Sequence, residues 1–461
     1  MREAFLVATV TLSAVVLVLA FAAFVYGFLR PDRATSLRRR PPRFPQYRPV
    51  RPDQVAILIA CRNGAATIGS AVTAARATGV PVYVVSDASS DATGAVASAA
   101  GAQVLELTQN VGKPAALHAA YAHFGLGSAY RAVAILDDDV LVEPDFVTAA
   151  LAELGAEVAI VVGHNVTWWP PERRWNPWLA KRAYSYWNYQ AVVRRLQSHF
   201  NVMNCISGSN SIYRTELLDV LLPQQPPYIV DDTYWVLETH RRQLGKVVYA
   251  PRAVALLQDP TTCRDWYRQN LRWLWGTFQG VIGHRVGRRN SRFDQAYLLL
   301  MLHWVLYVAG APLTLWLLAT AGPGLGAGLL FLLAGQGLWV GLAAWRLRRP
   351  RLVLFLPTII LADLLYRVIF VHALVRAIRQ PTVDRCVWAS PERIAVPDAS
   401  ATAAPDAPPV PAAAPVAVPD APPVPAATPV PVALSSASST TRPAADTAGL
   451  VVPAGSHAPR R

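Results

Sequence analysis

Three consecutive carboxylates, Asp137-Asp138-Asp139, close the apolar run Ala132–Leu136. Asp137 and Asp139 stand i, i+2 at the end of a strand-like segment. At that spacing two carboxylates can share one hard divalent cation, Mg²⁺ or Mn²⁺, with the phosphates of a nucleotide. The cation then stabilises charge on a departing diphosphate. Solvated acidic turns have the same spacing, so the triplet decides little alone. A second acidic pair, Asp231-Asp232, precedes the helix-like Tyr234–Gln243. One reading is a helix cap; the other makes Asp232 a general base toward an acceptor hydroxyl. Further on, Gln269, Arg272 and Trp273 fall i, i+3, i+4 and share one helical face. That face offers an amide, a cation for a diphosphate and a ring on which a sugar can stack. The surrounding stretch from Asp265 to Gln279 also reads as an interfacial amphipathic helix, and the two readings are compatible.

These residues need a scaffold, and residues 53–260 supply its rhythm. Gln54–Ala60 is an apolar run that stops at Arg62-Asn63-Gly64, and Val80–Ser86 is a second, ending at Asp87. Gln103–Leu107 and Ala132–Leu136 follow, with Ala-rich stretches suited to helices between the runs. Short apolar strands alternating with helices predict an α/β domain on a parallel sheet. Ligands bind such sheets at the carboxyl ends of the strands. Those ends carry Asn63, Asp87 and the Asp137–Asp139 cluster. The turn from Ser86 to Thr93 is rich in small residues, which allows close approach of a base or ribose. Asn110-Val111-Gly112-Lys113 precedes a helix, where a lysine and free amides suit phosphate.

The composition points to a membrane. Hydrophobic residues make up 53% of the 461 and charged residues only 16%, too apolar for a soluble chain of this length. Apolar runs cover 4–29, 295–319, 326–345 and 352–376. The first is too long for a signal-peptide core and predicts a retained anchor over 1–30. The formal charge of +14 comes with arginines crowded at the ends of apolar runs, at Arg38, Arg39 and Arg40 and again from Arg346 to Arg351. This positive-inside pattern places the catalytic residues in the cytoplasm, at an inner membrane, and disfavours a nucleic-acid partner. Cys61, Cys205, Cys263 and Cys386 lack metal-like spacing and read as isolated thiols. Residues 394–461 are an Ala/Pro-rich tail, with Pro405–Ala413 echoed from Pro419 to Ala427. Such a segment predicts disorder with polyproline II character.

In order and spacing these motifs resemble the membrane-bound family 2 glycosyltransferases of the cellulose, chitin and hyaluronan synthase type. The resemblance covers about residues 53–393. Asp87 matches the first motif, Asn110 to Lys113 an N-x-G-K element and Asp137 with Asp139 the DxD. Gly208-Ser209 matches an acceptor-side element, Val230-Asp231-Asp232 stands where TED is usual, and QxxRW is intact. Departures are Ser86 where an Asp is usual, Asp231 in place of Glu and His118 where Asn is frequent. The resemblance implies a Rossmann-like GT-A fold, a UDP-sugar donor, Mg²⁺ or Mn²⁺, and inversion to a β-linkage. It makes Asn63, Asp87, Lys113, Asp137, Gln269, Arg272 and Trp273 donor-binding, with Asp87 on uracil. Gly208, Ser209 and Trp273 become acceptor-binding, Asp137 and Asp139 the metal site, and Asp232 the base.

Two products remain open at this stage. One is a β-linked polysaccharide extended at the membrane; the other is a glycolipid made by a single addition, as in ceramide glucosyltransferases. The acceptor is therefore a glycan or a lipid, and a homo-oligomer is compatible with either. Residues 261–290 are expected as an interfacial helix, and 295–319 and 326–345 as transmembrane. The turn around Thr320–Gly326 should lie outside. A further crossing by 352–376 would export Arg376, Arg379, Arg385 and Arg393, so an interfacial or re-entrant helix is expected. Within it, Asp363 and Arg367 stand i, i+4 and could pair. Beyond it, Trp388–Arg393 resembles the gating segment of the related synthases.

Overall fold

A computed structural model describes residues 44–288, 291–320 and 324–384. The expectations for the anchor over 1–30, for Trp388–Arg393 and for the tail lie outside the described residues. β1 (Val55–Cys61) is buried along its whole length. Its side chains alternate between two apolar layers, because successive strand residues face opposite sides of a sheet. Ala56, Leu58 and Ala60 meet Leu117 and Ala120 on one side. Ile57, Ile59 and Cys61 meet Ile68, Val72 and Ala75 on the other. β1 is followed by α1 (Ile68–Arg76), β2 (Val82–Asp87), α2 (Thr93–Ala99), β3 (Gln103–Leu107) and α3 (Lys113–His123). β4 (Ala132–Asp137), β5 (Val140–Val142), α4 (Phe146–Leu151) and β6 (Val158–Thr167) come next.

A long irregular helix then runs from Pro177 to Phe200. It consists of α5 (Pro177–Asn188), a π-helical stretch over Tyr189–Arg194 and α6 (Arg195–Phe200). Asn176 caps its start, accepting from the amides of Trp178 and Leu179. β7 (Asn210–Arg214), α7 (Thr215–Leu221), α8 (Asp231–Arg242) and β8 (Lys246–Leu257) complete the domain. The sheet order is β3-β2-β1-β4-β7-β6-β8-β5.

Only part of this sheet is parallel. The pairs β2–β3, β1–β2 and β1–β4 are parallel as expected, but β7 runs antiparallel to both β4 and β6. The long irregular helix delivers the chain to the carboxyl end of β4, so the next strand can only run back. As a result Gly208-Ser209, just before β7, lies beside the end of β4, and the Asp137 amide donates to the Ser209 carbonyl at 3.3 Å. The domain is thus an α/β core on a mixed sheet.

α9 (Cys263–Gly283) carries the QxxRW residues. Thr262 caps it by accepting from the Asp265 amide. Trp266, Leu271, Leu274, Trp275 and Phe278 are buried against Ile229 and Val230 on one side, and against Ala362, Ile369, Phe370 and Ala373 on the other. α9 is thus wedged between the catalytic domain and an apolar helix. α10 (Arg292–Thr320), α11 (Gly324–Arg346) and α12 (Leu356–Arg379) follow, with a 3-10 segment over Pro350–Phe355. Arg292–Gly310 and Pro350–Arg379 are each long and apolar enough to cross a membrane, judged on length and composition. Along α12, Ile359, Ala362, Ile369 and Ala373 are buried, while Leu361, Leu364, Val368 and Val371 are exposed.

The expected Asp363–Arg367 pair does not form. Asp363 instead takes the ammonium of Lys181 from α5 at 2.5 Å. Arg367 donates to the carbonyls of Tyr307 and Asp363 and lies over the Tyr307 ring at 4.1 Å. A partner on a neighbouring element won because α5 brings a buried lysine to the Asp363 side of α12.

Candidate active site

A cavity of about 780 Å³ opens at the carboxyl ends of the central strands. Nine of the expected residues line it: Lys113, Asp137, Asp139, Gly208, Ser209, Asp232, Gln269, Arg272 and Trp273. Chain positions 160 residues apart therefore meet around one space. The cavity continues past α9 to side chains of the apolar helices, among them Trp304, Tyr307, Trp339 and Tyr366.

At one wall the Lys113 ammonium contacts Asp137 Oδ1 at 2.5 Å and the Gly208 carbonyl at 3.0 Å. Burial works to lower the Lys113 pKa, but Asp137, Asp231 and Asp232 outweigh it, so the group is raised and stays charged. Asp137 and Asp139 project from the turn after β4. Two hard carboxylates on a cavity wall, one already neutralising a lysine, fit a divalent cation whose other ligands come from phosphate and water.

Asp231 and Asp232 open α8, where the helix dipole favours negative charge. Val230 occupies the cap position and makes no side-chain cap bond. The Asp232 carboxylate accepts from the Gly208 amide at 3.3 Å. Burial first, then the neighbouring Asp231, push the Asp232 pKa up to about 7, while Lys113 pulls it the other way. A carboxyl poised there is half ionised at neutral pH, as suits a general base. Because only the ionised form can accept a proton, the rate should fall about tenfold per pH unit below pH 7 and level off above it. A rate profile from pH 5.5 to 8.5 on the intact protein checks this; a profile flat through 7 would assign the base elsewhere.

A Cβ on Gly208 would stand 3.2 Å from Asp232 Oδ2, so a side chain there would push the Asp232 carboxylate by a few tenths of an ångström.

Asn63 and Asp87 do not line this cavity. Asp87 is fully buried, and its two oxygens accept from the Val111 and Gly112 amides at 2.8 and 2.9 Å. It ties the loop that carries Lys113. Asn63, in the left-handed region at φ 53°, accepts from the Ser90 amide at 2.8 Å. It joins the loops after β1 and β2. Both therefore shape the strand-end loops.

The long irregular helix adds residues that sequence reasoning passed over. Arg182, buried, donates to Gln269, lies over the Trp273 ring at 4.8 Å and reaches Asp259 at 3.2 Å. One guanidinium thus fixes two of the three QxxRW side chains. Burial raises the Asp259 carboxyl to about 6 against the pull of Arg182. Tyr186 donates to Asp259 at 3.0 Å. The sequence signal was present as an aromatic and basic run from Trp178 to Arg195, but charge on such a run reads equally as a solvated face.

Residues 52–276 match the family described as "Glycosyltransferase like family 2". The matched stretch is a family 2 glycosyltransferase domain, and the chain is a glycosyltransferase. It is 30% identical over 95 residues to hyaluronan synthase 1 of Xenopus tropicalis, a stretch covering 19% of this chain and 16% of that protein. It is 27% identical over 158 residues to hyaluronan synthase 3 of Xenopus laevis, covering 32% and 28%. The chain therefore matches well under a third of the length of either relative. Among solved structures, it resembles a mannosyltransferase from Pyrobaculum calidifontis in complex with GDP-Man and Mn²⁺, at 20% identity and TM-score 0.48, covering 77% of this chain and 98% of that one. Glucosyl-3-phosphoglycerate synthase from Mycobacterium tuberculosis, in complex with Mg²⁺ and UDP, aligns at 16% identity and TM-score 0.35, covering 50% and 79%.

Proposed function

We propose that the enzyme transfers a sugar from a UDP-sugar to an acceptor hydroxyl with inversion, with Asp232 as the base, and that it extends a β-linked polysaccharide at the membrane. The observation that carries the reading is the single cavity that joins Asp232, Lys113, Asp137 and Trp273 and continues among the apolar helices. Asp137 and Asp139 would hold Mg²⁺ or Mn²⁺, which when bound would offset the charge of the leaving diphosphate. Lys113 and Arg272 contribute cations to the same diphosphate, and Gln269 and Trp273 orient the sugar end. Asp87 and Asn63 serve the donor through the loops they hold. Gly208 and Ser209 border the acceptor.

In the transfer the acceptor oxygen bonds to the anomeric carbon while the bond from that carbon to the diphosphate breaks. The bonding pair leaves with UDP, and the hydroxyl proton passes to Asp232. Asp232 sits on α8 and meets the Gly208 amide, on a different element from Asp137 and Asp139, which stand at and just after the end of β4. Inversion requires the hydroxyl to attack from behind the anomeric carbon, with the base on the acceptor side. The catalytic domain lies in the cytoplasm, α10 and α11 cross the inner membrane, and α12 is interfacial or re-entrant. A glycan or lipid acceptor would reach the cavity from its apolar end, where it meets membrane lipids. A homo-oligomer would widen the passage that so few helices provide.

A glycolipid product is the second reading, favoured by the small number of apolar helices. Purified membranes given a panel of radiolabelled UDP-sugars distinguish the two. High-molecular-weight product on gel filtration supports the polymer; label that extracts into organic solvent supports the glycolipid and overturns the polymer.

A further inference from the structure

Three of the cations that line the cavity meet carboxylates, and one buried cation does not. Lys113 meets Asp137, Lys181 meets Asp363 and Arg182 meets Asp259. Arg272 is part exposed and faces the proposed diphosphate position. Arg194 lines the same cavity at 4% exposure, and no carboxylate among the described residues pairs with it. Its Nε has no hydrogen-bond partner. What holds the guanidinium is neutral: the Gln190 Oε1 accepts at 3.3 Å, and the rings of Tyr189 and Tyr249 lie 5.2 and 5.9 Å away. A buried charge without a counter-charge is costly, and aromatic faces offset only part of that cost.

The local backbone holds Arg194 at this place. Tyr189–Arg194 is the π-helical stretch, a wider turn that recurs at functional sites. Gln190 pins it to β6, accepting from the Asn165 amide at 2.7 Å and donating to the Asn165 carbonyl at 2.8 Å. The Tyr189 hydroxyl is fixed against Asn204 and Cys205 at 3.1 and 3.0 Å. Arg194 lies over the Tyr189 ring, Tyr189 touches Cys205, and three residues on, the Gly208 amide meets Asp232, so Arg194 and the proposed base line the same side of the cavity. The missing counter-charge is therefore on the acceptor side of the cavity.

We infer that Arg194 recognises an oxyanion, a carboxylate or a phosphate, carried by the acceptor. This rests on the reading of the cavity as the site of sugar transfer, and it names the chemical class of what is glycosylated there. A carboxylate would come from an acidic sugar at a glycan end. A phosphate would come from a lipid headgroup, reached through the apolar end of the cavity.

Binding to the full-length protein in detergent tests it with two matched pairs of probes. One pair is a glucuronate-terminated oligosaccharide and its methyl ester; the other is a short polyprenyl phosphate and the free polyprenol. A hydrogen bond to a charged group is lost in each neutral member, so the anionic member of one pair should bind about 10- to 100-fold tighter. The pair that shows this identifies the source of the anion. Arg194→Gln should reduce the preference to near unity, and Arg194→Lys should keep most of it. UDP affinity, measured on the same preparations, should be unchanged in both. The inference is overturned if neither pair shows a preference in the wild-type protein, or if the preference survives Arg194→Gln. Should Arg194→Gln lose UDP binding as well, its fold is damaged, and the wild-type ratio with the Arg194→Lys result decides. Absence of UDP binding in the wild-type protein would instead count against sugar transfer, leaving the anion preference readable by itself.

Discussion

Asp232→Asn should bind UDP nearly as well as the wild-type enzyme and transfer almost no sugar. The amide is nearly isosteric with the carboxylate and can still accept from the Gly208 amide, so the packing of α8 against the strand-end loop is preserved. What disappears is a group able to take a proton. Loss of a general base typically lowers the rate by about 10² to 10⁴. Asp231→Asn should behave differently. Asp231 accepts from the Asp232 amide at 3.1 Å, and its charge helps burial to hold Asp232 near 7. Neutralising it should lower the Asp232 pKa and move the acid limb of the rate profile to lower pH, with measurable activity retained. Transfer rates and UDP titrations on both variants separate the roles. If Asp231→Asn were dead and Asp232→Asn active, the base would be misassigned.

Asp139→Ala should abolish activity while the protein still inserts in the membrane. A chelator should do the same to the wild-type enzyme, and added Mn²⁺ or Mg²⁺ should restore it. Lewis-acid stabilisation of a leaving group is worth several kcal/mol, so a loss of roughly a thousandfold or more is expected. The structure adds a distinction between the two metal candidates. Asp137 already holds Lys113 at 2.5 Å, so Asp137→Ala removes a ligand and also leaves a part-buried lysine without its carboxylate. Its donor affinity should suffer beyond that of Asp139→Ala. Full turnover by a chelated enzyme would contradict the metal assignment.

Much of this site was legible in the chain. Strand ends were readable because β1, β2 and β4 are short buried runs that stop at polar residues, and those stops proved to be the carboxyl edge of the sheet. The face shared by Gln269, Arg272 and Trp273 followed from helical spacing, and α9 presents all three to the cavity. The direction of β7 was not legible. Its residues fit a parallel or an antiparallel strand equally, and the outcome depends on where the long irregular helix returns the chain. The anchoring of Asp87 was hidden for a related reason: its partners are backbone amides of Val111 and Gly112, and backbone donors leave no mark in a sequence. Arg182 and Arg194 were missed because an arginine in an aromatic helix looks the same whether it meets water or a cavity. Only burial separates the cases, and burial is tertiary.

The measurement that bears most directly on the account is the anomeric configuration of the first product. The purified full-length protein would be supplied with UDP-α-linked sugars and the acceptor that membranes provide. The new linkage would be read from the anomeric proton coupling by NMR. A single displacement with Asp232 as the one base predicts a β-linkage, formed with stoichiometric release of UDP. An α-linkage, or release of UDP with no sugar transferred to any acceptor, would contradict it.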